Sequence, residues 1–409
     1  MKTVVKTNSI SAKKYRIQPL GKDVLNITNK VRSNLFTWRG QFSPQLIEAL
    51  ISEYAPQDSI ILDPFVGSGT VLYEAGLLGM EAFGAELNPA AAKMAQIYSC
   101  INKTIEQRET ILKKINEILL AEFPINLPVL GIRNISSKLW KEKLKSIYLD
   151  LQDNDSKKII ESLIIICDFH NSNFDSSYLH SRWENLRKIV RDLPYSTKPI
   201  KVKICDARRL PLENNIVDFV ITSPPYINVF NYHQQYRASA EALGWDLLDV
   251  AKSEIGSNRK HRQNRFLTVV QYCLDMFDVL KELIRVCKPQ AQIILIVGRE
   301  SNVKKTSFMN SKIVKDVATK CLGLNVILTQ ERVFTNKFGR RIFEDILHFV
   351  NLPESQIIND TSPYEIGKQF LKAARIQAPS ESLSDLDIAI KNADEVLPSR
   401  IFVPPLGFL

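Results

Sequence analysis

Two short stretches hold residue types that do chemistry when they sit at strand ends: Asp63-Pro64-Phe65-Val66-Gly67-Ser68-Gly69-Thr70 and Thr222-Ser223-Pro224-Pro225-Tyr226. In the first, two glycines within three positions permit a tight turn into a helix starting near Thr70, and bare backbone there lets a ligand lie close. An acid at the end of the next strand commonly accepts from a ribose hydroxyl pair, and Glu86, 23 positions after Asp63, stands in that place. A nicotinamide or flavin site would need a third glycine in a G-x-G-x-x-G array, whereas Gly69 is followed by Thr70, Val71 and Leu72. In the second stretch, consecutive prolines fix φ twice and remove two backbone donors, which leaves carbonyl oxygens free to face a ligand. Ser223 adds a hydroxyl acceptor, and Tyr226 offers a ring face for stacking.

The elements that must position these residues follow from periodicity. Ser59–Leu62 and Val217–Ile221 are short apolar runs suited to strands buried on both faces, so both motifs open at the carboxyl ends of parallel strands. Ser43 is placed as an N-cap with Pro44 at the first helical position, directly before the first strand. Lys201–Ala207 reads as a further strand, with Asp206 at its end. Val269–Cys287 has apolar residues at helical spacing and stops at Lys288-Pro289, ahead of a buried strand over Gln292–Val297. Val326–Leu328 and Asp345–Val350 follow with no helix between them, which predicts an antiparallel pair at the sheet edge.

Taken together, DPFVGSGT and TSPPY resemble the motifs of the S-adenosylmethionine-dependent amino-methyltransferases, most closely those that methylate cytosine N4 in DNA. The resemblance covers residues 36–100 and 200–352 as the catalytic domain. It implies an α/β class I methyltransferase fold: a Rossmann-like, seven-stranded mixed sheet with an antiparallel edge hairpin, interrupted by a helical insertion. It further implies that Phe42, Ser43, Asp63, Phe65, Gly67, Gly69, Thr70, Glu86 and Asp206 bind S-adenosylmethionine, with Phe42 and Ser43 at its methionine end and Asp206 near its adenine. Ser223, Pro224, Pro225 and Tyr226 become the catalytic residues, acting on a base flipped out of double-stranded DNA. Serine before Pro-Pro-Tyr is the usual form in cytosine-N4 enzymes, although here the cofactor motif precedes the catalytic one, the reverse of many of them. Adenine N6 remains an alternative target, as do RNA and the reading as a non-catalytic, cofactor-binding DNA-binding subunit. A separately encoded restriction endonuclease is the further partner such a resemblance brings.

Composition bounds the rest. With 54 Lys and Arg against 44 Asp and Glu, the 409-residue chain carries a formal charge of +10, which favours a polyanionic partner. Arg259, Lys260, Arg262 and Arg265, in a polar loop without an acid, are the candidates for phosphate or base-edge contacts. Residues 1–35 form a basic N-terminal arm, read either as a solvated leader or as a segment lying on phosphates. Residues 101–199 are a helical insertion, either a structural cap or a DNA-contacting subdomain, and 353–409 are a C-terminal extension. The six cysteines lack any C-x-x-C pair and the five histidines are unclustered, so a zinc or other metal site is not expected. With no signal sequence and no membrane-spanning run, the expected location is cytoplasmic.

Overall fold

Ile60–Asp63 (β1) and Val217–Thr222 (β4) form the middle of a sheet because their β-branched and aromatic side chains are covered on both faces; Ile61, Leu62, Phe219, Val220 and Ile221 have no exposed surface. In the computed structural model, which describes residues 17–124, 136–227, 231–257, 261–336, 339–352 and 361–405, five further strands complete this sheet. They are Glu81–Glu86 (β2), Ile200–Ile204 (β3), Cys287–Gly298 (β5), Asn325–Thr335 (β6) and Arg341–Val350 (β7). Their order is β3-β2-β1-β4-β5-β7-β6, and β7 runs antiparallel to both its neighbours. The predicted edge pair is therefore present. Successive strands run outwards in one direction from β1 and in the other from β4, so the crevice beyond Asp63 and Thr222 is a topological switch point, where ligands of open α/β sheets bind. β5 begins earlier than the sequence predicts: the chain passes through Pro289 with Gln290 at φ 71°, and pairing with β4 slips between Val217 and Phe219.

Helices α1 (Pro44–Tyr54), α2 (Thr70–Leu77) and α3 (Pro89–Ala95) lie on the first half of the sheet. The insertion contributes α4 (Ile105–Glu122), α5 (Ser137–Asp150), α6 (Asn154–Ile166) and α7 (Ser176–Arg191). It is joined to α3 by a nearly enclosed pair, Lys93 to Glu161 at 2.7 Å, and by the Ser162 hydroxyl donating to the Lys93 carbonyl. Within it, the fully buried Arg108 donates to the carbonyls of Val190, Arg191 and Leu193, where the end of α7 leaves acceptors without partners. On the far half of the sheet, α8 (Leu267–Val286) packs against α9 (Asn310–Asp316) and α10 (Pro363–Ala374), and α11 (Ser380–Lys391) follows.

The two ends of the chain are drawn into the body. Instead of lying free, the described part of the basic arm crosses β6: Arg332 donates to the Leu25 carbonyl, and the Val333 N–H donates to the Asn26 side chain. Arg32, in an arm read either as solvated or as lying on phosphates, is bound instead to Glu48 and to the buried Glu74, because two carboxylates there offer it a closer counter-charge. At the other end, Arg208 has no exposed side-chain surface; it binds Asp206 and Asp275 and donates to the carbonyls of Ser399 and Arg400. Asp275 in turn accepts from the N–H and hydroxyl of Ser399. Removing this guanidinium would leave two buried carboxylates facing each other. Arg208→Ala is expected to cost about 3–5 kcal/mol in urea unfolding; an unchanged midpoint would show that the tail holds its place without it.

Candidate active site

The cleft at the switch point takes in about 920 Å³, the open solvent at its mouth included. Its floor is the turn after β1. Gly67 has φ +53° and Gly69 φ +97°, values that L side chains rarely adopt, and a Cβ on Gly69 would fall 2.4 Å from the Tyr98 ring. This turn leads straight into α2. Glu86, at the end of β2, lines the opposite wall and accepts from the N–H groups of Gly67 and Asn88, both at 2.8 Å. Burial pushes its carboxyl up to about 7 against the pull of these backbone donors.

Phe42, Phe65, Gly67, Thr70, Glu86 and Asp206, all predicted for the cofactor, line this one cleft together with Ser223 and Pro225 of the catalytic motif. The remaining predicted residues sit behind it. Asp63 is 1% exposed and takes the Thr222 hydroxyl at 2.6 Å and the Phe65 N–H at 3.1 Å, so it ties the two motif turns together from beneath. Burial raises its carboxyl to about 7. Gly69 packs on Tyr98, and Pro224 is buried. Ser43 precedes α1 without capping it through its side chain; its hydroxyl is buried and has no protein partner. Asp206 shows its wall to the cleft, but its two oxygens already accept from the Arg208 N–H, two guanidinium nitrogens and the Phe402 N–H. Tyr226 is not among the lining residues: its ring lies against Gly298, where a Cβ would come within 2.6 Å, and its hydroxyl meets Ser223 Oγ at 3.2 Å.

Several lining residues have no signal in the sequence. Trp38 lies over Gly67 and stacks with Tyr232 at 6.3 Å and with Tyr236 at 6.5 Å between centroids. Gln41 reaches the Ser68 hydroxyl and the Phe36 carbonyl. Ser253, wholly buried and without a partner for its hydroxyl, and Glu254, held by the backbone and ring of His233, come from a segment that reads as an ordinary loop. Asn88 has a local signal, an N-cap position ahead of Pro89, but it is not among the expected site residues. Two positive-φ glycines, a carboxylate at the β2 end, and the cleft-lining Ser253 with its unpartnered hydroxyl fit a polar nucleoside-bearing cofactor. Among the described residues there is no cluster of His, Cys, Asp or Glu for a metal ion. No described helix is long and apolar enough to cross a membrane.

Beyond the cleft, Gly256 packs on the Tyr226 carbonyl, its φ of +73° and a 2.6 Å approach excluding a side chain. The basic loop leaves from this point. Arg262 and Arg265 are exposed on it; Arg259 and Lys260 lie outside the described residues.

The sheet order, with its single reversed strand, and a glycine turn facing the β2 acid are those of the class I methyltransferase fold. Residues 6–97 match the family model described as DNA methylase, of N6/N4 methyltransferases. The Type II methyltransferase M.MjaII of Methanocaldococcus jannaschii is 20% identical over 404 positions, covering 68% of this chain and 74% of its own. M.BsoBI of Geobacillus stearothermophilus is also 20% identical, over 76% of this chain and 83% of its own. A solved SAM-dependent methyltransferase from Methanosarcina mazei is 13% identical and covers 74% of this chain and 97% of its own, with a TM-score of 0.35. The chain is thus similar to N6/N4 DNA methylases over residues 6–97 and to Type II methyltransferases over most of its length.

Glu86 is expected to give this site a pH dependence with opposite signs for binding and folding. A carboxyl whose folded pKa is raised from 4.5 to about 7 favours the fold fully below 4.5, and that contribution is lost as pH rises through 7. Ribose hydroxyls, by contrast, donate best to the ionised form. Cofactor affinity is expected to fall by up to about tenfold per pH unit below 7, measured by calorimetric titration, and Glu86→Gln should flatten the profile at a lower affinity. A profile that survives in Glu86→Gln would assign the titration to Asp63.

Proposed function

We propose that this protein transfers the methyl group of S-adenosylmethionine to the N4 amino group of a cytosine flipped out of double-stranded DNA. The observation that carries the reading is Ser223, whose hydroxyl stands in the same cleft as the glycine turn and Glu86, with its neighbour Thr222 tied to Asp63. An exocyclic amino nitrogen is a weak nucleophile because its lone pair is delocalised into the ring. Acceptors that hold both N–H bonds turn the nitrogen towards tetrahedral geometry and aim the lone pair at the methyl donor. The Ser223 oxygen and the Pro224 carbonyl are those acceptors.

Tyr226 supports Ser223 in this role. Burial drives the phenol well above its ordinary pKa, so it stays neutral and accepts a hydrogen bond as readily as it gives one. When the Ser223 hydrogen points to Tyr226, both serine lone pairs are left for the base. The cleft-lining rings of Trp38 and Tyr232 supply the apolar surface on which an extruded base rests. Nucleophilic nitrogen takes the methyl group as the carbon–sulfur bonding pair returns to sulfur, and one N–H proton leaves to water.

Support for DNA as substrate comes from the family description and from relatives named as Type II methyltransferases, and support for cytosine from serine at the first motif position. Ser223→Ala should bind cofactor normally but transfer methyl groups about a hundredfold more slowly, the scale for losing one oriented polar group. Mass spectrometry of nucleosides from DNA treated with the wild-type protein is expected to show N4-methylcytosine. N6-methyladenine would overturn the choice of base, and 5-methylcytosine the amino-transfer mechanism.

A further inference from the structure

Residues 34–42, just ahead of α1, form a strap whose Trp38 lies over Gly67, and two amides on it fix which way hydroxyl hydrogens on the glycine turn point. Asn34 is the first. Its Nδ2 donates to the Phe42 carbonyl at 2.8 Å, and because a carbonyl oxygen only accepts, the amide has one possible orientation. Oδ1 is thereby left to Thr70, whose hydroxyl donates to it at 2.8 Å. The Thr70 hydrogen is committed to Asn34, and the lone pairs of its oxygen remain for another donor.

Gln41 imposes the opposite polarity. Its Nε2 donates one hydrogen to the Phe36 carbonyl at 2.8 Å and the other to the Ser68 hydroxyl oxygen. Ser68 therefore accepts from Gln41 and keeps its own hydrogen to give. Ser68 is 3% and Thr70 7% exposed, and both line the cleft with Gln41 and Phe42. Two poorly solvated hydroxyls on one turn, one set to donate and the other to accept, match a group that carries a carboxylate and an ammonium together. Glu86 accepts from the Gly67 N–H at the other end of this turn, so the ribose acceptor and the paired hydroxyls serve the two ends of a single ligand.

We propose that Asn34 and Gln41 are positioning residues, which set Thr70 to accept from the ammonium and Ser68 to donate to the carboxylate at the amino-acid end of S-adenosylmethionine. This rests on the reading of the cleft as the cofactor site. The test is calorimetric titration of the full chain with two probes: S-adenosylhomocysteine, and methylthioadenosine, which keeps the nucleoside and the thioether but lacks the amino-acid end. Asn34→Ala and Gln41→Leu should each weaken S-adenosylhomocysteine binding about tenfold, the scale of one hydrogen bond to a charged group, and leave methylthioadenosine unchanged. Each acts through one hydroxyl, so Asn34→Ala should add no further loss to Thr70→Val, nor Gln41→Leu to Ser68→Ala. The two pairs are independent, and one variant that fails to fold leaves the other decisive. Equal losses for both probes would reduce the amides to a structural role and overturn the inference, as would unchanged affinities or additive losses in the double variants, all leaving the cofactor reading intact. A wild-type chain that binds neither probe would overturn both.

Discussion

The site depends on one hydrogen bond at the switch point, from the Thr222 hydroxyl to the Asp63 carboxylate at 2.6 Å. β1 and β4 are adjacent and parallel, yet backbone pairing between them is recorded only at Ile61–Phe219 and Leu62–Val220. Past those residues the chains diverge, one into the glycine turn and the other into the proline turn. Asp63 therefore sets the distance between the glycine turn and Ser223. Because the carboxylate is 1% exposed, its alternatives are poor: losing Thr222 would leave a buried acceptor unsatisfied, at a cost of about 1–3 kcal/mol. The same burial raises its pKa to about 7, so this tie is anchored by a group that changes charge near neutrality.

A similar logic links the cleft wall to the C-terminal tail. Asp206 faces the cavity, but its carboxylate is saturated by Arg208 and by the Phe402 N–H. Arg208 also donates to the carbonyl of Ser253, a residue that lines the same cleft and whose hydroxyl is buried without a partner. Strand β3, the segment before the basic loop and the tail are thereby held by one buried guanidinium. Such a network stabilises little in net terms, because desolvating three charges costs about what their attraction returns. What it provides is geometry, since misplacing any member leaves a buried charge without its partner.

How much of this was legible follows from where each interaction is encoded. The strands, the glycine turn, Glu86 and the two motifs were readable because their requirements are local: apolar runs bury on both faces, and positive φ selects glycine. Arg32, Arg108 and Arg208 were not, because an arginine held by internal partners is indistinguishable in sequence from one in solvent. The carbonyl acceptors around Arg108 exist only once α7 has ended beside it. Trp38 and Ser253 failed for the same reason, each being brought to the cleft by contacts with segments distant in the chain. Tyr226 shows the converse. Its place after two prolines was legible, but the direction of its ring was set by Gly298, which admits the ring because it carries no Cβ.

Glu86 and Asp63 both pay the cost of burial before any ligand arrives, each with its carboxyl raised to about 7. Glu86 is held by two backbone donors, Asp63 by a hydroxyl and one backbone donor, so neither is free to turn away when ionised. A folded protein optimised only for stability would place apolar or neutral groups at these positions. Retaining acids there keeps acceptors fixed in a poorly solvated site, where a donor from a bound molecule gains more than it would from water-exposed carboxylates. The destabilisation and any recognition are thus one physical effect: the fold withholds water from two carboxylates, and Glu86, which lines the cleft, would recover part of that loss were a ligand's hydroxyls to take the water's place.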